Sequence, residues 1–222
     1  MKSAAHARAF VCFEPMSDPI FQLTQAVYEK IVSHAREGKP QEVCGILRGR
    51  GRCAFEAVRA HNLAPDPIHD YEVDPQTLLL QFEFEQAGDE MVAIYHSHPV
   101  SPAYPSASDA WSAHYPDCAY LICSLQDDTV PVVRAFRLLP HDVSLDLPTL
   151  RASLDFDETR PGRFAYYQSA QIAPPPILQP VAAGVPAPFY IVFEVDPETG
   201  QRLPPRVVSL SEEHIQILSR CA

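Results

Sequence analysis

Tyr95-His96-Ser97-His98-Pro99, with seven residues between His98 and Ser106-Ala107-Ser108-Asp109, decides how this chain reads. Met91 to His96 is an apolar run that predicts a buried strand with the two histidines at its C-terminal end. Histidines at i and i+2 of an extended segment point to the same face, so both imidazoles can reach one metal ion. Ser106 predicts the N-cap of a short helix from Ala107 to about His114, which puts the Asp109 carboxylate in its first turn as a third ligand. Two nitrogens and one oxygen, with a fourth position left for water, is the pattern of a catalytic rather than a structural zinc site. Upstream, Glu42 in Gln41-Glu42-Val43-Cys44-Gly45 offers the carboxylate such a site needs as a proton shuttle.

Outward from that block, the periodicities alternate between helix and strand. Thr24 caps a helix with the apolar stripe Val27, Tyr28, Ile31, Val32 and Ala35, ending at Gly38 and Pro40. A hairpin follows, Val43 to Arg48 and Cys53 to Ala60 around Gly49-Arg50-Gly51. Asp74-Pro75 is an N-cap followed by a proline at the first helical position, opening a helix that runs to Gly88. Ala119 to Leu125 and Val130 to Leu138 pair as a second hairpin. The order α-β-β-α-β-α-β-β implies an α/β fold, a mixed β-sheet sandwiched by helices.

After Pro140 the composition changes: twelve of the 23 prolines lie between Pro140 and Pro205. Ala173 to Pro188 reads as an extended linker or loop. Beyond it, Phe189 to Val195 and Arg206 to Leu210 predict a C-terminal β-hairpin, with Phe189, Ile191, Phe193 and Val195 on one buried face. This tail reads as too small for a core of its own, so it is expected to dock on the catalytic domain or on a partner subunit. The organisation expected is therefore a leader over residues 1–19, a catalytic domain over 20–139, and a proline-rich connector with hairpin over 140–222. Met1 and Met16 both remain open as the native start.

A net charge of −11 over 222 residues lacks the basic footprint of a nucleic-acid binder. No apolar run approaches a membrane span, and Ala9 to Phe13 is too short for the core of a signal peptide. The six cysteines form no C-x-x-C pair, and Cys44, Cys118 and Cys123 fall in apolar runs. Reduced, buried thiols in a cytoplasmic protein are the expectation.

The glutamate, the H-S-H pair and the S-x-x-D group together resemble the JAMM (MPN-plus) metalloprotease family. The likeness extends to Glu42-Val43-Cys44-Gly45, Asn62 to Asp66, Tyr71 to Pro75 and Val92 to Asp109, and covers roughly residues 20–138. It implies one Zn²⁺ per chain on His96, His98 and Asp109, with Glu42 moving the proton of the attacking water. It also implies that Ser106 donates to the oxyanion of the transition state. Ser97 points to the opposite face and reads as support for the histidine strand, while Tyr104 and Trp111 flank the metal loop as cleft-wall candidates. His61, His69, His114 and His141 are read as surface or packing residues.

Family resemblance further implies hydrolysis of an amide or isopeptide bond after the C-terminal glycines of a ubiquitin-like or sulfur-carrier protein. The short Gln126 to Thr129 connection resembles the compact prokaryotic members. The alternatives are a deconjugating isopeptidase of a bacterial ubiquitin-like modification system and a non-catalytic MPN scaffold subunit, which retention of all five site residues disfavours. A zinc deaminase would require H-x-E with P-C-x-x-C, and both are absent. The partner implied is the C-terminal tail of a carrier protein, and a homodimer is compatible with the sequence.

Overall fold

The computed structural model describes residues 20–196 and 198–221. The expected leader and the choice between Met1 and Met16 lie outside the described residues. Among the described residues ten strands join in one mixed sheet: β1 (Ile20–Thr24), β2 (Cys44–Arg50), β3 (Cys53–Ala60), β4 (Glu90–His98), β5 (Ala119–Ser124), β6 (Val132–His141), β7 (Asp157–Arg160), β8 (Arg163–Gln168), β9 (Phe189–Glu194) and β10 (Arg206–Leu218). Their order is β1-β3-β2-β4-β5-β6-β10-β9-β8-β7, and a further pairing of β1 with β10 closes the first seven strands on themselves.

The helices form where the caps predict. Thr24 accepts from the Val27 amide to start α1 (Gln25–Gly38), which buries Val27, Ile31, Val32 and Ala35. The Asp74 carboxylate accepts from the Thr77 amide to start α2 (Pro75–Gln86). Helix α3 (Ala107–Trp111) is shorter than expected, stopping at the Ser112 cap. Strand β4 sorts its side chains by the two-residue period. Ala93 and Tyr95 join the core under α1, together with Leu47 and Leu121. Ile94 joins the opposite core with Ile46, Ile122 and Phe136. His96 and His98 share the face of Ile94, so the histidines emerge on the side carrying α2 and α3.

Four sequence expectations are corrected. The tail holds a core of its own: Leu150, Leu178, Val181, Val185, Phe189, Ile191 and Val207 cluster together. The proline-rich stretch is no linker, because a 3-10 turn (Pro176–Leu178) and a short helix after it bury Leu178 and Val181 on the sheet. The final strand also runs to Leu218 and lies inside the sheet, antiparallel to β6 over Val207–Glu213 and parallel to β1 over His214–Leu218. Its Val208 and Leu210 belong to the core beneath the histidine face. Strands β1, β7 and β8 were not anticipated. Finally, Cys53 and Cys221 form a disulfide across 168 residues, with Cα atoms 5.9 Å apart. β10 ends beside the start of β3, which no local spacing could reveal. Cys44, Cys118 and Cys123 are free and buried, as expected. No helix among the described residues is long and apolar enough to cross a membrane.

Candidate metal centre

Strand β4 is held on both sides, by β2 antiparallel and β5 parallel, so the histidine backbone has no freedom to shift. His96 is fully buried and His98 nearly so. The His98 Nδ1–H donates to the Pro102 carbonyl at 2.7 Å, which leaves its Nε2 lone pair facing the cleft. Tyr71 stacks on the His96 ring, centroids 4.1 Å apart and planes 16° from parallel, fixing the ring's tilt. Burial holds the His96 imidazole at about 4, so it is neutral and able to act as a ligand.

Asp109 is set by a reciprocal capping box. Ser106 Oγ accepts from the Asp109 amide at 3.1 Å, and Asp109 Oδ2 accepts from the Ser106 amide at 2.6 Å. The other oxygen, Oδ1, lies 3.2 Å from His96 Nε2. His96 Nε2 and His98 Nε2 are 3.1 Å apart, and one donor atom from each of His96, His98 and Asp109 falls within a 4.8 Å cluster. Bonds of about 2.0–2.1 Å at tetrahedral angles place two zinc-bound nitrogens roughly 3.3 Å apart, close to what is seen. The chemistry of the set also asks for a cation. Lone pairs of His98 Nε2 and the Asp109 carboxylate converge in a buried space with nothing positive between them. These residues fit a zinc ion.

Glu42 lies two residues before the start of β2 and is buried. Its amide donates to the Pro67 carbonyl at 2.7 Å, and its carbonyl accepts from Asn62 Nδ2 at 2.9 Å. Burial first, and then the Asp109 carboxylate, push its carboxyl up to about 9. A cation held by the three ligands would favour the ionised form and draw it back down. Ser97 faces away from the metal cluster and its Oγ accepts from the Val43 amide at 2.9 Å, tying the segment after Glu42 to the histidine strand. Cys44 pairs in register with His96, but burial pushes its thiol up to about 12, so it is no nucleophile near neutral pH.

Ser106 is exposed at the cleft, and its hydroxyl proton remains free to donate. Trp111 lines a cavity of about 800 Å³ together with Tyr71, Tyr120 and His114. Tyr104 instead packs edge-on against Phe136 and hydrogen-bonds Tyr167 at 2.7 Å, lining neither large cavity beside the site. Of the histidines read as surface or packing residues, His114 lines that cavity and His69 lines a second one, yet neither joins the metal cluster.

Sequence reasoning passed over Asn62 and Tyr71 as individual contributors. Asn62 Nδ2 reaches the carbonyls of Glu42 and Asp70, and its Oδ1 accepts from the Ala64 and Glu72 amides, so one side chain shapes the whole 61–73 loop. Both residues lay in segments that carry the family likeness, the available signal. The tail's contribution had no such signal. Tyr190 Oη donates to the Pro105 carbonyl at 3.2 Å, Arg163 donates to Ser108 Oγ at 2.6 Å, and Arg206 donates to the Ala113 carbonyl at 2.6 Å. The metal loop is thus braced from strands β8, β9 and β10.

A buried H-x-H strand facing a helix-borne aspartate on a mixed sheet defines a JAB-type domain. Residues 24–139 match the prokaryotic homologues of the JAB domain, and the chain belongs to that family. It is 41% identical over 116 residues to a desampylase of Haloferax volcanii, covering 49% of this chain and 84% of that protein. It is 34% identical over 117 residues to the CysO-cysteine peptidase of Mycobacterium tuberculosis, covering 51% of this chain and 80% of that one. Among solved structures, protein DSY2949 of Desulfitobacterium hafniense is 35% identical, with a TM-score of 0.47 over 53% of this chain and 82% of that chain.

Proposed function

We propose that this chain is a zinc-dependent peptidase that cuts the amide bond after the C-terminal glycines of a ubiquitin-like or sulfur-carrier protein. The observation that carries the reading is the convergence of His96, His98 and Asp109 within 4.8 Å, with buried Glu42 beside them, in a JAB-family chain. Relatives named as desampylase and CysO-cysteine peptidase support the choice of substrate class.

His96 Nε2, His98 Nε2 and an Asp109 oxygen would hold the ion. When bound, zinc supplies Lewis-acid chemistry, lowering the pKa of a water in its open position toward neutrality. Glu42 accepts a proton from the attacking water and delivers it to the leaving nitrogen. The hydroxyl portion of the water joins the carbonyl carbon, the C–N bond breaks, and the products are a carboxylate and an amine. Ser106 Oγ–H donates to the oxygen that gains charge in the transition state, a contact worth on the order of hundredfold in rate elsewhere. Tyr71 and Asn62 hold His96 and Glu42 in place. The 61–73 loop and the metal loop form the two rims between which an extended tail would lie.

Glu42→Gln separates the roles. The variant is expected to retain one zinc per chain by elemental analysis while losing nearly all cleavage of a carrier bearing one added C-terminal residue, followed by intact-mass spectrometry. Parallel loss of zinc and turnover would make Glu42 a ligand and refute its assignment as the proton carrier.

A further inference from the structure

The β7–β8 hairpin lies outside residues 24–139, the part matched to the family, yet its tip touches both rims of the metal cleft. The turn Arg160-Pro161-Gly162-Arg163 is tight because proline fixes its own φ and Gly162 adopts φ 79°, the residue pair of a type II turn. At the first rim, Arg160 Nη1 forms an ion pair with Asp70, and Arg163 Nη1 lies 3.8 Å from the same carboxylate. At the second, Arg163 donates to Ser108 Oγ at 2.6 Å, and its guanidinium sits 6.0 Å from the centre of the Trp111 ring. Asp70 directly precedes Tyr71, which stacks on His96. Ser108 directly precedes Asp109. The tip therefore joins Asp70, one peptide bond from the ring packed on His96, to Ser108, one peptide bond from Asp109.

The cavities report the same arrangement. Arg160 and Pro161 line both the space of about 800 Å³ that holds Tyr71 and Trp111 and a second of about 730 Å³ that holds Ser106, Ser108 and His69. The tip is common to both cavities and tied to both rims, so it stands between two spaces, each the size of a small-ligand pocket and not of a protein-docking groove. The latch is half-buried, with side-chain exposures of 22% for Arg160 and 13% for Asp70, so solvent screens it less than a surface pair.

We propose that this tip is a strap over the site, and that Arg160 and Asp70 are specificity-determining residues admitting only a single extended chain threaded beneath it. Resting on the function proposed above, the strap selects a linear carrier tail whose leaving group is an amino acid or short peptide. It excludes a tail joined through a lysine side chain to a folded protein, which cannot be threaded. The bond broken and the fate of the water are the same in both substrates; only the size of the leaving amine differs.

The test compares the full-length wild type with Arg160→Ala and Asp70→Asn, which open the same pair from opposite rims. Two substrates are used, a carrier with one extra C-terminal residue and the same carrier isopeptide-linked to a folded protein. The wild type is expected to prefer the linear substrate, and both variants to raise kcat/KM on the isopeptide substrate by about tenfold or more while leaving the linear one within about twofold. Equal wild-type activity on both substrates, or parallel changes on both, would overturn the strap. Release of the site metal to dipicolinate provides a readout without substrate, and should be several-fold faster in both variants. If neither substrate is cleaved by any of the three proteins, the functional reading fails. The strap is then decided by metal release, faster release in both variants supporting it and equal rates overturning it.

Discussion

Asp109 shows how much one residue can be asked to do. One of its oxygens closes the capping box with Ser106 and the other faces the histidines, so the helix start and the candidate metal centre share a carboxylate. That arrangement was legible in the sequence because capping and the two-residue strand period act over a few residues. The stack of Tyr71 on His96 was not legible, since it depends on the 61–73 loop folding across a strand more than twenty positions later. A second histidine makes a prediction at this scale. Burial, with Arg59 adding to it, lowers His34 to about 4, and its Nδ1 sits 2.9 Å from Tyr95 Oη. The unfolded chain takes up this proton near pH 6.5 and the folded chain only near 4. His34 therefore contributes stability that is intact above about pH 6.5 and is lost as pH falls toward 4. Urea midpoints at pH 7 and pH 5 should differ more in the wild type than in His34→Gln; equal differences would remove His34 as a cause.

Among the elements, the helices, the central strands and the β9–β10 pairing could be read from caps and periodicity, whereas β1, β7, β8 and the extension of β10 to Leu218 could not. β9 is apolar on both faces because each face meets a different core: Phe189 and Ile191 join the tail's cluster, and Val192 the site-side core. Prolines from 174 to 188 suggested a linker because proline removes amide donors, yet here they frame a short helical segment on the sheet. The last strand matters most. β10 is an internal strand, hydrogen-bonded to β6 on one side and to β9 and β1 on the other. A chain truncated after Leu139 loses that strand, exposes the edges of β6 and β1, and uncovers the core around Phe136 and Leu138. We expect the truncated chain to be insoluble or to lack a cooperative melting transition. A truncated chain that melts cooperatively and retains zinc would show the family-matched segment to be self-sufficient.

For the molecule as a whole, the sheet closes through β1 and β10, and the Cys53–Cys221 disulfide ties the end of β10 to β3 next to that closure. The closure was illegible because residues nearly two hundred positions apart make it, and the pairing of β1 with β10 has no sequence signature. Joining positions 168 residues apart restricts the unfolded chain, an effect of about 2–4 kcal/mol in typical proteins. Cys221→Ser should lower the melting temperature under oxidising conditions and match the wild type under strong reductant; a variant unchanged in both would show the bond to be unformed in solution. The order of strands also bears on how the protein is made. A ribosome completes Glu42, His96, His98 and Asp109 about a hundred residues before it reaches β10, the strand that fills the gap between β6 and β1. Throughout that interval the nascent chain holds every residue proposed for cleavage but lacks the strand that closes the sheet carrying them. The strand made last among the described elements is thus the one that closes the sheet carrying the candidate site.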